Sequence, residues 1–195
     1  MIREFIHTPD APNGSGIVLT HGAGANCASD LLAAVANALC AAGMLVLRCD
    51  LAFRQKRPFG PPSPATGPAD RAGLKEAVAR MRGMVPGNVY LGGHSYGGRQ
   101  ASMLAAEEPG LVEGLLLLSY PLHPPDKRQQ PRTAHFPNLR TSAVFVHGTR
   151  DPFGTVDELQ AALALIPALT RLIAVEGAGH ELKKGKFDMQ ASTLV

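Results

Sequence analysis

The sequence predicts an α/β fold, a mostly parallel sheet with helices on both faces. Two observations lead there. Short apolar runs alternate along the chain with longer segments of helical period, as a parallel sheet covered on both sides requires. Several runs also end in glycine-bearing turns or an aspartate, the edge where open α/β sheets place their sites. A length of 195 residues fits one domain, taken as 1–195, with room for a sizeable core.

Ile17-Val18-Leu19-Thr20 reads as a buried strand ended by Gly22-Ala23-Gly24. A helix follows from near Ser29, a good N-cap, with Leu31, Val35 and Leu39 at four-residue spacing and Gly43 as its stop. Leu45-Val46-Leu47 gives a second strand, ending at Asp50. Phe53 to Pro68 is dense in Pro and Gly and reads as an inserted loop, because the same alternation resumes beyond it. Leu74, Val78, Met81 and Val85 mark the next helix by a single stripe. Val89-Tyr90-Leu91 is a strand running into Gly92-Gly93-His94-Ser95-Tyr96-Gly97-Gly98, after which Ala101, Leu104 and Ala105 suit a helix packed on the sheet.

Leu115 to Leu118 is the next strand. Tyr120 to Asn138, with five prolines, reads as an irregular excursion. Ala143 to Val146 is another strand. Thr155 and Glu158 fit a capping box ahead of Leu159, Leu163 and Ile166, with Pro167 limiting that helix. Leu172 to Val175 is the last strand, and no internal repeat interrupts the order.

Composition excludes several function classes. Apolar residues make up 45% and charged residues 18%, an ordinary globular balance. The net charge of +3 is mild, and its basic residues are dispersed apart from Arg54, Lys56 and Arg57, which gives no support to nucleic-acid binding or membrane-surface attachment. Cys27, Cys40 and Cys49 match neither a disulfide framework nor a zinc motif, and the seven histidines lack metal-ligand spacing. With no signal-peptide core and no spanning apolar run, the expectation is a cytoplasmic protein; its oligomeric state stays open.

Gly93-His94-Ser95-Tyr96-Gly97 matches G-x-S-x-G. The pattern has a mechanical reason: a strand reversing sharply into a helix lifts the serine above the sheet edge, with no space for side chains two residues away on either side. A serine hydroxyl needs a base, and the base an orienting carboxylate. His180, after the last strand in Gly177-Ala178-Gly179-His180, and Asp151, after the strand Ala143 to Val146, supply them in the order Ser, Asp, His. Taken alone, Asp151 also suits a turn before Pro152, and His180 a solvated loop. Each gains weight because the other two need it. For the oxyanion hole, the backbone N–H of Tyr96 at a helix start and that of Ala23 in the loop after the first strand are the expected donors, with His21 bracing the loop.

These residues resemble the α/β-hydrolase superfamily, and within it the dienelactone-hydrolase-like branch of small serine hydrolases. His21-Gly22-Ala23-Gly24, Gly93 to Gly98, Ser119-Tyr120-Pro121-Leu122, His147-Gly148-Thr149-Arg150-Asp151 and Gly179-His180 match, in the family's order and across most of the chain. The resemblance implies hydrolysis of esters, thioesters or lactones through an acyl-enzyme, a small-molecule substrate, and no metal or organic cofactor. It also marks departures. Dienelactone hydrolases proper use a cysteine where this chain has Ser95. About fourteen residues precede the first strand, so the usual N-terminal hairpin is shortened or absent. Fifteen residues follow His180, enough for at most a short final helix. The expected sheet is therefore a reduced α/β-hydrolase sheet of about 6–7 strands. No insertion is long enough for a large lid.

Arg54, Lys56 and Arg57 are expected as a solvated basic loop, the alternative being attraction of an anionic substrate group. His123 and His135 are expected at the surface near the mouth, the alternative being contact with substrate, and His94 packed under the elbow without a proton-transfer role. The competing functional reading is a hydrolase-fold interaction protein that docks partners through Phe53 to Pro68 and has little or no catalysis.

Overall fold

In the computed structural model, residues 3–183 are described. Their strands are β1 (Glu4–His7), β2 (Gly16–Thr20), β3 (Leu45–Cys49), β4 (Val89–His94), β5 (Gly114–Leu118), β6 (Ala143–Gly148) and β7 (Thr170–Val175). They form one sheet in the order β1-β3-β2-β4-β5-β6-β7, with β1 antiparallel to β3 and all other pairs parallel. The expected strands lie within β2 to β7. β1 is an addition: it sits at the sheet edge, half-exposed, without the buried apolar run that marks the central strands. The strand order reverses between β2 and β4, so the loops leaving those strands diverge at one crevice beyond their C-terminal ends.

The helices are α1 (Asp30–Ala41), α2 (Ala52–Lys56), α3 (Gly67–Arg82), α4 (Tyr96–Glu107) and α5 (Val156–Leu163). Ser29 is the N-cap residue of α1, and Thr155 and Glu158 make the reciprocal capping box on α5: the Glu158 N–H donates to Thr155 Oγ1 at 3.1 Å, and the Thr155 N–H to Glu158 Oε2 at 2.8 Å. Two helices are shorter than their apolar stripes predict. α3 stops at Arg82 and α5 at Leu163, so Val85 and Ile166 pack from the turns beyond them. The inserted loop is also more regular than expected, since its opening residues form α2 and Pro64–Thr66 a 3-10 turn. The excursion after β5 holds only a short 3-10 turn at Phe136–Asn138. The expected short final helix falls on residues 184–195, outside the described residues.

Side-chain alternation along the strands splits the core in two. Val18, Leu47, Leu91, Leu117 and Phe145 meet α3, α4, α5 and the Tyr120–Phe136 excursion. Ile17, Leu19, Val46, Leu116, Leu118 and Val146 meet Leu32, Val35 and Leu39 of α1. Burying each such side chain contributes about 1.5–3 kcal/mol. No described helix is long and apolar enough to cross a membrane.

Candidate active site

Ser95 stands between β4 and α4 with φ 51 and ψ −117, a backbone region unfavourable to any residue with a Cβ. Its N–H donates to Leu118 O at 2.8 Å, tying the turn to β5. The flanking glycines explain how the turn closes. A Cβ on Gly93 would lie 2.8 Å from Gly97 C and Gly98 N, and one on Gly97 would lie 2.5 Å from His21 O. The reversal thus packs backbone on backbone.

His180 Nε2 lies 2.8 Å from Ser95 Oγ, and His180 Nδ1 lies 2.8 Å from Asp151 Oδ2. With Nδ1 protonated toward the carboxylate, Nε2 is left to accept from the serine hydroxyl. Asp151 is fixed in turn, since its Oδ1 accepts the Phe153 N–H at 2.9 Å and its side chain is sealed from solvent. The Phe153 ring lies 4.3 Å from the His180 ring, tilted by 36°, and the His94 ring lies 5.0 Å away on the histidine as well. His94 Nε2–H donates to His180 O at 2.9 Å, and burial holds the His94 imidazole below its ordinary pKa. It is buried at the elbow, as expected, and this contact also holds the backbone of His180. The three candidate residues, distant in sequence, form one hydrogen-bonded chain.

The loops carrying Asp151 and His180 meet at Gly148. A Cβ there would lie 2.3 Å from Ala178 O and 2.7 Å from Gly179 O. The Arg150 N–H donates to Ala178 O at 2.9 Å, and the Gly177 N–H to Thr149 Oγ1 at 2.9 Å.

Opposite them lies the loop of His21 to Gly24. His21 Nε2 accepts the Leu51 N–H at 3.1 Å, which leaves Nδ1–H to donate to Gly22 O at 2.9 Å. Burial lowers the pKa of this imidazole. Gly22 abuts His94, whose Nδ1 would stand 2.9 Å from a Cβ. Tyr96 is the first residue of α4, so by position its N–H has no acceptor within the helix. Its hydroxyl donates to Asp70 Oδ2 at 2.8 Å, and burial raises its pKa to about 12. Asp70 Oδ1 also accepts the Phe53 N–H at 2.9 Å. Asp70 escaped the sequence reading. Its only signal is an acid in the first turn of α3 behind Pro68.

Three expectations need correction. Arg54 is 5% exposed and donates to the carbonyls of Ala23, Ala25, Arg57 and Gly60, whereas Lys56 and Arg57 are exposed. The loop's first cation is an internal strut, because its guanidinium finds backbone acceptors in place of water. His123 is 3% exposed, and its backbone N–H donates to the Phe153 carbonyl at 3.1 Å. His135 is half-buried with Nε2 2.8 Å from Ser102 Oγ; burial, with Arg99 and Arg71 nearby, lowers its pKa to about 4. Both histidines pin the excursion to the body of the molecule. Among the described residues, no group of three His, Cys, Asp or Glu side chains is placed to hold a metal ion.

The family model described as an alpha/beta hydrolase domain matches residues 13–193. The chain belongs to that family. Solved structures agree on the architecture. An alpha-beta serine hydrolase homologue from Coxiella burnetii is 17% identical with a TM-score of 0.74, covering 92% of this chain and 83% of that one. Dienelactone hydrolase from Anabaena variabilis is 20% identical at TM-score 0.72, covering 94% and 83%. A Xanthomonas campestris α/β serine hydrolase described as lidless is 17% identical at TM-score 0.74, covering 98% and 85%. The seven-stranded sheet of this chain is likewise an α/β-hydrolase sheet, and no large lid stands over its described residues.

Proposed function

We propose that this α/β hydrolase is a serine hydrolase of small carboxylic esters, thioesters or lactones, with Ser95 as nucleophile, His180 as general base and acid, and Asp151 as the orienting carboxylate. The observation that carries this reading is the continuous chain of two 2.8 Å contacts from Ser95 Oγ through His180 to Asp151. His180 takes the Ser95 proton while Oγ bonds to the substrate carbonyl carbon. The tetrahedral oxyanion is held by the N–H groups of Tyr96 and Ala23. His180 then returns the proton to the departing alcohol or thiol as the C–O or C–S bond breaks. In the second half His180 removes a proton from water, the hydroxide attacks the acyl carbon, and Ser95 leaves with that proton as the carboxylic acid is released. Asp151 keeps the Nδ1–H tautomer and stabilises the imidazolium. No step calls on a metal or cofactor.

The positive φ of Ser95 supports its assignment, since strain of that kind persists where the surroundings enforce it. Cys27, Cys40 and Cys49 are all free, and burial pushes the Cys27 and Cys49 thiols up to about 12, which suits inert thiols of a cytoplasmic protein. The test is a screen of 4-nitrophenyl esters, thioesters and lactones of graded acyl length, with Ser95→Ala beside the wild type. The reading expects turnover of short acyl groups that disappears in the variant while its circular dichroism is kept. Equal turnover by the folded variant would refute it.

A further inference from the structure

We propose that Arg54 is a positioning residue for the oxyanion hole, anchoring the backbone that follows Ala23 so that the Ala23 N–H stays where the Gly22 peptide points it; this rests on the serine-hydrolase reading above. Ala23 stands between two peptide groups that are held separately. In a trans peptide the N–H points opposite to the preceding C=O. The direction of the Ala23 N–H is therefore set by whatever holds the Gly22 carbonyl. That carbonyl accepts from His21 Nδ1 at 2.9 Å and from the Ala25 N–H at 3.1 Å, and these two contacts set the orientation of the Gly22–Ala23 peptide. The following peptide remains to be fixed, and Arg54 fixes it: Nη2 donates to Ala23 O at 2.7 Å and Nε to Ala25 O at 2.8 Å. The same guanidinium reaches Arg57 O through Nη1 at 3.2 Å and Gly60 O through Nη2 at 3.1 Å. One planar group thereby joins the loop after β2 to the segment after β3.

Three further facts separate this from an ordinary structural arginine. Among the described residues, no carboxylate lies within ion-pair distance of Arg54, although the side chain is 5% exposed. Its positive charge is left to act on the neighbouring peptides and on negative charge developing beside them. Second, the Arg54 guanidinium lies 4.9 Å from the centroid of the Phe53 ring, which makes an edge contact with Tyr96 at 5.7 Å and 89°, and the Phe53 N–H shares Asp70 with the Tyr96 hydroxyl. The supports of both oxyanion donors thus converge on adjacent residues of α2. Third, a cavity of about 220 Å³ lined by Arg3, Asn26, Asp50, Arg54, Gln55 and Pro58 reaches Arg54 from outside, so a small cation can enter where the side chain is removed.

The experiment compares 4-nitrophenyl acetate with its thionoester, in which sulfur replaces the carbonyl oxygen. Sulfur is larger and a poorer hydrogen-bond acceptor, so the oxygen-to-sulfur ratio of kcat/KM reads the oxyanion hole itself. Arg54→Met is expected to lower kcat for the oxygen ester about 10- to 100-fold, below the effect of deleting a donor outright. KM should stay within about 3-fold, and the ratio should fall at least 10-fold. Arg54→Lys, reaching fewer carbonyls, should fall between. Guanidinium chloride at millimolar concentration should restore kcat to Arg54→Ala, and Arg57→Met should keep the wild-type ratio. A folded Arg54→Met with wild-type kcat and ratio overturns the proposal. So does a fall in kcat at constant ratio, which would place the role outside the hole. If Arg54→Met does not fold, the ratio in Arg54→Lys decides by the same criterion. A wild type that cleaves no ester removes the parent reading and this one together, whereas an active wild type with an insensitive ratio removes only this one.

Discussion

Replacing Gly148 by Ala tests how closely the Asp151 and His180 loops are set. The added Cβ would stand 2.3 Å from Ala178 O and 2.7 Å from Gly179 O, against the roughly 3.4 Å at which ordinary contact begins. The loop before His180 must therefore retreat by about 1 Å. It cannot do so freely, because Ala178 is fully buried and its carbonyl also accepts the Arg150 N–H. Overpacking of this kind costs about 1–3 kcal/mol, which at this chain length lowers Tm by roughly 2–12 °C. The larger effect is on chemistry. A 1 Å displacement of the base from Ser95 Oγ reduces turnover on the order of 100-fold. The assay is kcat for 4-nitrophenyl acetate, read well below the variant's Tm. Gly73→Ala serves as the comparison, since a Cβ there meets nothing within 4 Å, and in the interior of α3 it should stabilise by about 0.5–1 kcal/mol at unchanged kcat. Wild-type kcat in Gly148→Ala would refute the claim that close backbone approach sets the base.

Asp151→Asn should lower kcat by about 10⁴-fold with the fold kept, because an amide no longer enforces the Nδ1–H tautomer of His180; steady-state kinetics check this, and a loss under 10-fold would contradict it. His135 ties acid stability to burial: the folded-state pKa of about 4 lies below the ordinary 6.5, so the unfolded chain binds the proton first. Its contribution is complete above pH 6.5 and is lost as pH falls toward 4, by up to about 3 kcal/mol. His135→Gln should accordingly flatten the fall of Tm between those pH values, as differential scanning calorimetry would record. Thr155→Ala removes the α5 cap and should cost about 1 kcal/mol, a Tm loss of roughly 2–4 °C, with kcat unaffected.

Which features were legible in the sequence follows from how local their causes are. β2, β4 and β5 are continuous apolar runs because both faces are covered, and the G-x-S-x-G turn carries its steric reason within five residues. Residues at strand ends could be ordered into Ser95, Asp151 and His180 because the chain returns to the same sheet edge after each crossover. β1 escaped because an edge strand pairs on one side only, so its residues need no apolar run. α2 was masked by the prolines and glycines that follow it. Arg54 read as solvent-facing because its partners are carbonyls, two of them on a loop some 30 residues away, and a carbonyl leaves no mark in residue type. Gly148 and Gly22 are small for a neighbour supplied by a distant segment, which no local pattern reveals. His123 is buried and His135 half-buried by the way the excursion folds back, again without a periodic signature.

The central claim is an activated serine at position 95, and the most direct measurement is intact-mass analysis after incubation with a fluorophosphonate, on wild type, Ser95→Ala and His180→Ala. The account predicts one adduct on wild type, none on Ser95→Ala, and a rate of labelling at least 100-fold slower on His180→Ala. Folded wild-type protein that stays unlabelled beside a reactive control enzyme, or an adduct that survives Ser95→Ala, would contradict it.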